Sequence, residues 1–312
     1  MSPLLSPESP ELDDAHLALL AHYAKHLGRA PKAIRFAPHS GERRSRQKGH
    51  GMEMLELRAY QASDDLRHID WRVTARTGQT HTRLYAQEND HQRLLLLDLS
   101  SSAYFGTRHT FISTRFIQLA GIIAWRSKQQ GDTLSYRVTY GNQEHASNKS
   151  ANLSALLSQL KDASQIAHRA SASNTSIWSN SLLTNKAHNK DVIILTDKQN
   201  WSDSEESALI RLAQHNSVHW IQIIDSNLFN LPAGQYQIVD SQIVDSQMTN
   251  NQGVKSVSIS KNSMQQAKLD FFAENSRMKE KLASFGIRHQ IFDITEAPEK
   301  IARYLLSQGA LH

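Results

Sequence analysis

The chain has 312 residues, of which 39% are hydrophobic and 21% charged, and a formal charge of +5. This composition excludes a disordered chain, and the length suits one large domain or two modest ones. There is no cysteine, so disulfides, thiolate metal sites and cysteine nucleophiles are excluded, and no apolar run reaches the roughly 18 residues of a membrane helix.

Residues 1–10 are rich in Ser and Pro and lack a basic start followed by an apolar core. No secretory signal is expected, and the chain reads as cytoplasmic. From Leu12 to Leu27 apolar residues recur at helical spacing, with Asp13 and Asp14 in the first turn and Gly28 at the end. His22 and His26 are four apart on that helix but have no third partner at matching spacing, so they read as surface histidines.

Residues 29–92 have a different texture: basic, with many Arg–acid neighbours and no long apolar run. The densest stretch is GERRSRQKGHG, with Arg43, Arg44, Arg46 and Lys48. It suits a solvated loop, or a grip on phosphates or an acidic protein face. It has no interleaved aromatics for base stacking, so nucleic-acid binding is kept only as an alternative.

From Arg93 onward, short apolar runs alternate with amphipathic stretches. RLLLLDL, TLSYRVTY, DVIILTD, VHWIQIID and RHQIFDI read as strands. Helices are expected over residues 110–131, 150–163, 176–185, 203–216, 263–286 and 297–308. Continuous apolar runs such as Leu94–Leu97 are what a parallel sheet covered on both faces requires. The expected fold is therefore α/β, a doubly wound, mostly parallel sheet over residues 93–312. Residues 1–92 form a smaller N-terminal α+β region. LPAGQYQIVDSQIVDSQMTNNQGVKSVSIS breaks the alternation and reads as a hairpin excursion.

Ligands of open parallel sheets bind beyond the carboxyl ends of the strands. LLLL is followed there by Asp98, Ser100 and Ser102, and VIILT by Asp197. Thr175 lies between them, ahead of a short expected helix. All are hard oxygen donors of the kind magnesium takes. The competing reading is that these residues are ordinary helix N-caps.

Asp98-x-Ser100-x-Ser102 after a buried strand resembles the metal-ion-dependent adhesion site of von Willebrand factor A domains. The resemblance implies that Ser100, Ser102 and Thr175 ligate Mg2+ directly. It also implies that Asp98 and Asp197 support the ion through water and that a partner's carboxylate completes the shell. The sequence departs from that pattern at Ser173-Asn174, where the family has two glycines, and at Lys198, where it has one. Residues 51–88, GMEMLELRAYQASDDLRHIDWRVTARTGQTHTRLYAQE, resemble the signature of the family called domain of unknown function fifty-eight. The matching positions include Glu53, Leu57, Arg58, Tyr60, Asp64, Asp65, Arg67, Ile69, Asp70, Trp71 and Arg76; FGTRHTF and LPAGQY fit the same layout. That likeness covers roughly residues 35–310. It implies a von Willebrand A-like domain that works with a MoxR-type AAA+ ATPase, or with its client, in complex assembly. The Arg–acid alternation of the signature suits either an internal ion-pair network or a docking surface.

The chain has no Gly-x-x-x-x-Gly-Lys-Ser/Thr, Gly-x-Ser-x-Gly or His-Glu-x-x-His motif. A phosphatase with a strand-end aspartate nucleophile needs a second acid two residues on, and that place holds Ser100. The expected function is a non-enzymatic interaction module. A metal-assisted phosphoryl hydrolase using Asp98 and Asp197 is the alternative.

Overall fold

The structure is a computed structural model that describes residues 7, 9–28, 54–61, 64–85, 92–108, 110–147, 151–171, 187–239 and 254–311. The chain divides into two compact units, Met1–Ile34 with His91–His312, and Arg35–Asp90. Thr175, the basic stretch Arg43–Lys48, Glu53, the expected helix over residues 176–185 and most of the IVDSQ tandem lie outside the described residues.

In the larger unit, β3 (Gln92–Leu99), β4 (Thr133–Tyr140), β5 (Gln143–Ser147), β6 (Asp191–Thr196), β7 (Ser217–Ile224) and β10 (Arg288–Asp293) form one sheet. Its order is β10-β7-β6-β3-β4-β5, parallel throughout except for β5, which runs antiparallel to β4. The expected doubly wound, mostly parallel fold is what forms. Edge strand β5 has no counterpart in the sequence reading. Its residues, QEHAS, are polar and mostly exposed, so no apolar period marks it.

The leucine run explains the layering. Successive strand side chains point to opposite faces. Leu95, Leu97 and Leu99 pack in one cluster with α3 (Ile112–Gln130), α4 (Leu153–Ala163) and α8 (Pro298–Ser307). Leu94 and Leu96 pack in the other with α6 (Asp203–His215) and the last turns of α7 (Lys261–Ser284). Each leucine so buried contributes about 1.5–3 kcal/mol.

Helix α1 (Asp14–Lys25) starts where Asp13 accepts the His16 amide, and Gly28 follows it at φ 90°. The sequence reading grouped this helix with residues 29–92; it packs instead on the outer side of α3 in the larger unit. Leu17, Leu20 and Ala24 are buried there. Trp125 donates to the Leu17 carbonyl at 3.1 Å, and Arg126 donates to those of Ala24 and Gly28. A cation among the last carbonyls of a helix complements its dipole. The smallest side chain on α3 faces this contact: a Cβ on Gly121 would lie 2.3 Å from Leu20 Cδ1.

The smaller unit is an antiparallel pair, β1 (Met54–Ala59) and β2 (His81–Tyr85), enclosing a 3-10 turn at Leu66–His68 and the short helix α2 (Trp71–Thr77). The expected hairpin excursion is β8 (Gly234–Val239) paired antiparallel with β9 (Val254–Ile259). No helix among the described residues is long and apolar enough to cross a membrane.

Candidate functional site

Counting only strands of the large sheet, β3 is the first and β6 the fourth, and they are neighbours. The winding reverses between them, and the crevice beyond their carboxyl ends is where such sheets take ligands. Asp98 and Thr196 sit side by side in the register of these two strands. Asp98 is buried and accepts a hydrogen bond from Thr196 Oγ1 at 3.3 Å. Its carboxyl is pushed up to about 7, first by burial and also by the nearby Asp197 and Glu205, against the opposing pull of Lys198 and the Thr196 hydrogen bond.

Beyond the strand, the chain makes a 3-10 turn at Ser101–Ala103. Ser100 holds the N-cap position of that turn, yet its hydroxyl makes no cap hydrogen bond. It donates instead to Asp197, with oxygen distances of 3.0 and 2.8 Å, across 97 residues of sequence. Ser102 Oγ lies 2.7 Å from Ser100 Oγ and donates to the same carboxylate. Among the described residues Asp197 caps no helix; Ser202 and Glu205 form the capping box of α6. The helix-cap reading of these residues therefore fails at Ser100 and Asp197. Three hydroxyl and carboxylate groups converge on one point, half-buried at Ser100 and Asp197 and open to solvent at Ser102.

Neighbouring groups hold this rim. Tyr104, fully buried beneath the turn, donates to the Ala163 carbonyl at 2.8 Å. Lys198, where the adhesion-site pattern has glycine, points its ammonium at Glu205 at 3.5 Å. Asp225, directly after β7, accepts from the Thr107 amide at 2.5 Å and the Asn227 amide at 3.1 Å. Sequence reasoning missed Asp225, although it follows an apolar strand just as Asp98 and Asp197 do. It ties the loop after β3 to a third strand end.

Of the five residues read as a magnesium set, the structure brings Ser100, Ser102 and Asp197 into direct contact and places Asp98 behind them; Thr175 lies outside the described residues. Among the described residues, no group of three or more His, Cys, Asp or Glu side chains could hold a metal ion. Any ion at this rim would rest on hydroxyls and two acids. Hard, small and mostly neutral donors of this kind fit magnesium, which takes one or two carboxylates and keeps water.

The family model described as Protein of unknown function DUF58 matches residues 56–267. The chain belongs to this family. A stretch of 59 residues is 44% identical to uncharacterized proteins of Mycobacterium bovis and of two strains of Mycobacterium tuberculosis. It makes up 19% of this chain and 19% of theirs, so the match spans about a fifth of these curated relatives. Two solved structures align over 70% of the chain. One is an aerotolerance-related membrane protein from Bacteroides fragilis (10% identity, 99% of that chain, TM-score 0.39). The other is an uncharacterized membrane spanning protein from Vibrio fischeri (14% identity, 98% of that chain, TM-score 0.20).

In this DUF58 chain the described part of the signature segment forms internal ion pairs. Arg58 pairs with Asp64 at 2.7 Å, and Arg83 with Asp70 at 2.9 Å. Asp70 also caps α2 through the Arg72 and Val73 amides. These bonds, the Arg83 hydrogen bond first among them, hold the Asp70 carboxyl below the usual range. Trp71 and Leu66 are instead 68% and 63% exposed. The exposed Arg67, Arg72 and Arg76 form no ion pair among the described residues.

Proposed function

We propose that this DUF58 protein is a non-enzymatic interaction module. It holds a carboxylate of a partner protein through a divalent cation, Mg2+, at the rim of Ser100, Ser102 and Asp197, with Asp98 beneath and Thr175 completing the set. The observation that carries this reading is the Ser100 hydroxyl, turned away from its own helix cap and onto Asp197. A bound cation would supply an open coordination position for an incoming acid. Asp197 orients both serine hydroxyls, and Asp98 places a second carboxyl on the strand below. Lys198, engaged by Glu205, leaves the rim to its oxygens. The partner, by resemblance, is a MoxR-type AAA+ ATPase or its client, and the role is chaperone-like complex assembly in the cytoplasm.

Isothermal titration with Mg2+ and with Mn2+ tests the site. We expect one ion per chain, lost in Ser100→Ala and in Ser102→Ala. Wild-type protein that gives no binding heat with either ion removes the cation from this reading.

A further inference from the structure

Helix α7 has 24 residues, about 36 Å at 1.5 Å per residue. Its buried residues, Asn275, Met278 and Leu282, all lie in the second half. The first half carries its own apolar stripe. Lys261, Met264, Lys268, Leu269 and Phe272 follow the spacing i, i+3, i+7, i+8 and i+11, one face of a helix. Leu269 is 59% exposed and Phe272 42%.

This stripe is one wall of a groove of about 580 Å³. The opposite wall is the 3-10 turn Ser226–Asn230 with Leu231. Phe229 makes it firm, with its ring 5.3 Å from that of Phe271 and 6.1 Å from that of Phe272. A groove of this kind, with a helical apolar stripe along one side, is how proteins receive amphipathic helices.

Charge selects the occupant. Lys261 and Lys268 line the groove seven residues apart, at the same heptad position, and neither forms an ion pair among the described residues. The acids of the same stretch, Asp270 and Glu274, fall outside the stripe. Two copies of the chain meeting here would set lysine against lysine. We propose that the groove between α7 and the 226–230 turn docks an amphipathic helix of another protein, with acidic side chains one heptad apart on its apolar face.

Fluorescence anisotropy on the full chain tests this. The probe is a labelled synthetic helix with leucines at a and d positions and glutamates seven residues apart; a control carries lysine for glutamate. The glutamate probe binds wild type and weakens as salt rises. Leu269→Asp and the double variant Lys261→Glu/Lys268→Glu each reduce affinity at least tenfold, and the double variant gains affinity for the lysine probe. These positions are exposed, and unchanged circular dichroism checks that both variants fold. Ser100→Ala binds the probe as wild type does, which separates this groove from the cation rim. Equal affinity of both probes, or no loss in Leu269→Asp, overturns the proposal. So does a dimer in sedimentation, or binding to anionic vesicles, that Leu269→Asp abolishes.

Discussion

At the scale of single residues, Asp98 faces two demands. Its position at the end of a fully buried strand places a carboxylate where desolvation penalises charge. The folded pKa near 7 lies above the unfolded value of 3.8. The native chain thus holds a proton on this group that the unfolded chain has released, so the contribution of Asp98 to stability falls as pH rises from about 4 to 7. The gap of about 3 units corresponds to roughly 4 kcal/mol. Asp98→Asn keeps an oxygen that can accept from Thr196 and loses the charge. In metal-free buffer, its urea midpoint is expected to fall less between pH 6.5 and 8, where no buried histidine titrates, than the wild-type midpoint does. An equal fall in both proteins rejects this account of Asp98. The strand-end rule made Asp98, Ser100, Ser102 and Asp197 legible in the sequence, because a buried run that stops at an acid fixes where that acid sits. It did not reveal the Ser100–Asp197 bond. A serine after a strand is equally suited to a cap, and only the neighbouring strand decides which partner it takes.

At the scale of elements, nearly every strand and helix of residues 93–312 could be read from period and caps, and most bounds fell within two or three residues. The place of α1 could not be read, since a helix shows in sequence that it has an apolar stripe but not what covers it. The contact between Leu20 and Gly121 makes its seat testable. Leu20→Ala is expected to cost about 2–5 kcal/mol by opening a cavity. Gly121→Ala inserts a Cβ 2.3 Å from Leu20 Cδ1; overpacking of this kind costs about 1–3 kcal/mol. In the double variant the new methyl enters the space that leucine vacates, so its loss falls short of the sum of the single losses. Chemical denaturation of the four proteins measures the difference. Strict additivity shows that α1 does not pack against Gly121.

For the whole molecule, the order of strands matters beyond the site. Strand alternation predicts a parallel sheet but leaves open which strands become neighbours. The observed order sets β7 beside β10 and so buries two histidines close together, His219 in register with Arg288 and His289 with Trp220. Arg288 donates to His219 Nε2 at 3.2 Å, and His289 Nε2 lies 3.1 Å from Gln222 Oε1. Burial holds both imidazoles down at about 4, helped by Arg288 at His219, where Asp191 opposes it, and by Lys279 at His289. Below pH 6.5 the unfolded chain takes up protons that the folded chain refuses, so each histidine withdraws stability as pH falls toward 4, by up to about 3 kcal/mol. Asp98 acts with the opposite sign. Between pH 4 and 6.5 two histidines outweigh one aspartate, and above 6.5 the aspartate acts alone. The melting temperature should therefore peak between pH 6 and 7. His219→Gln/His289→Gln keeps an acceptor for Arg288 and a donor for Gln222 and cannot titrate, so it should flatten the acid side of that peak and leave the alkaline side unchanged. A double variant that loses as much stability as wild type between pH 6.5 and 4.5 would show that these strands do not carry the acid sensitivity.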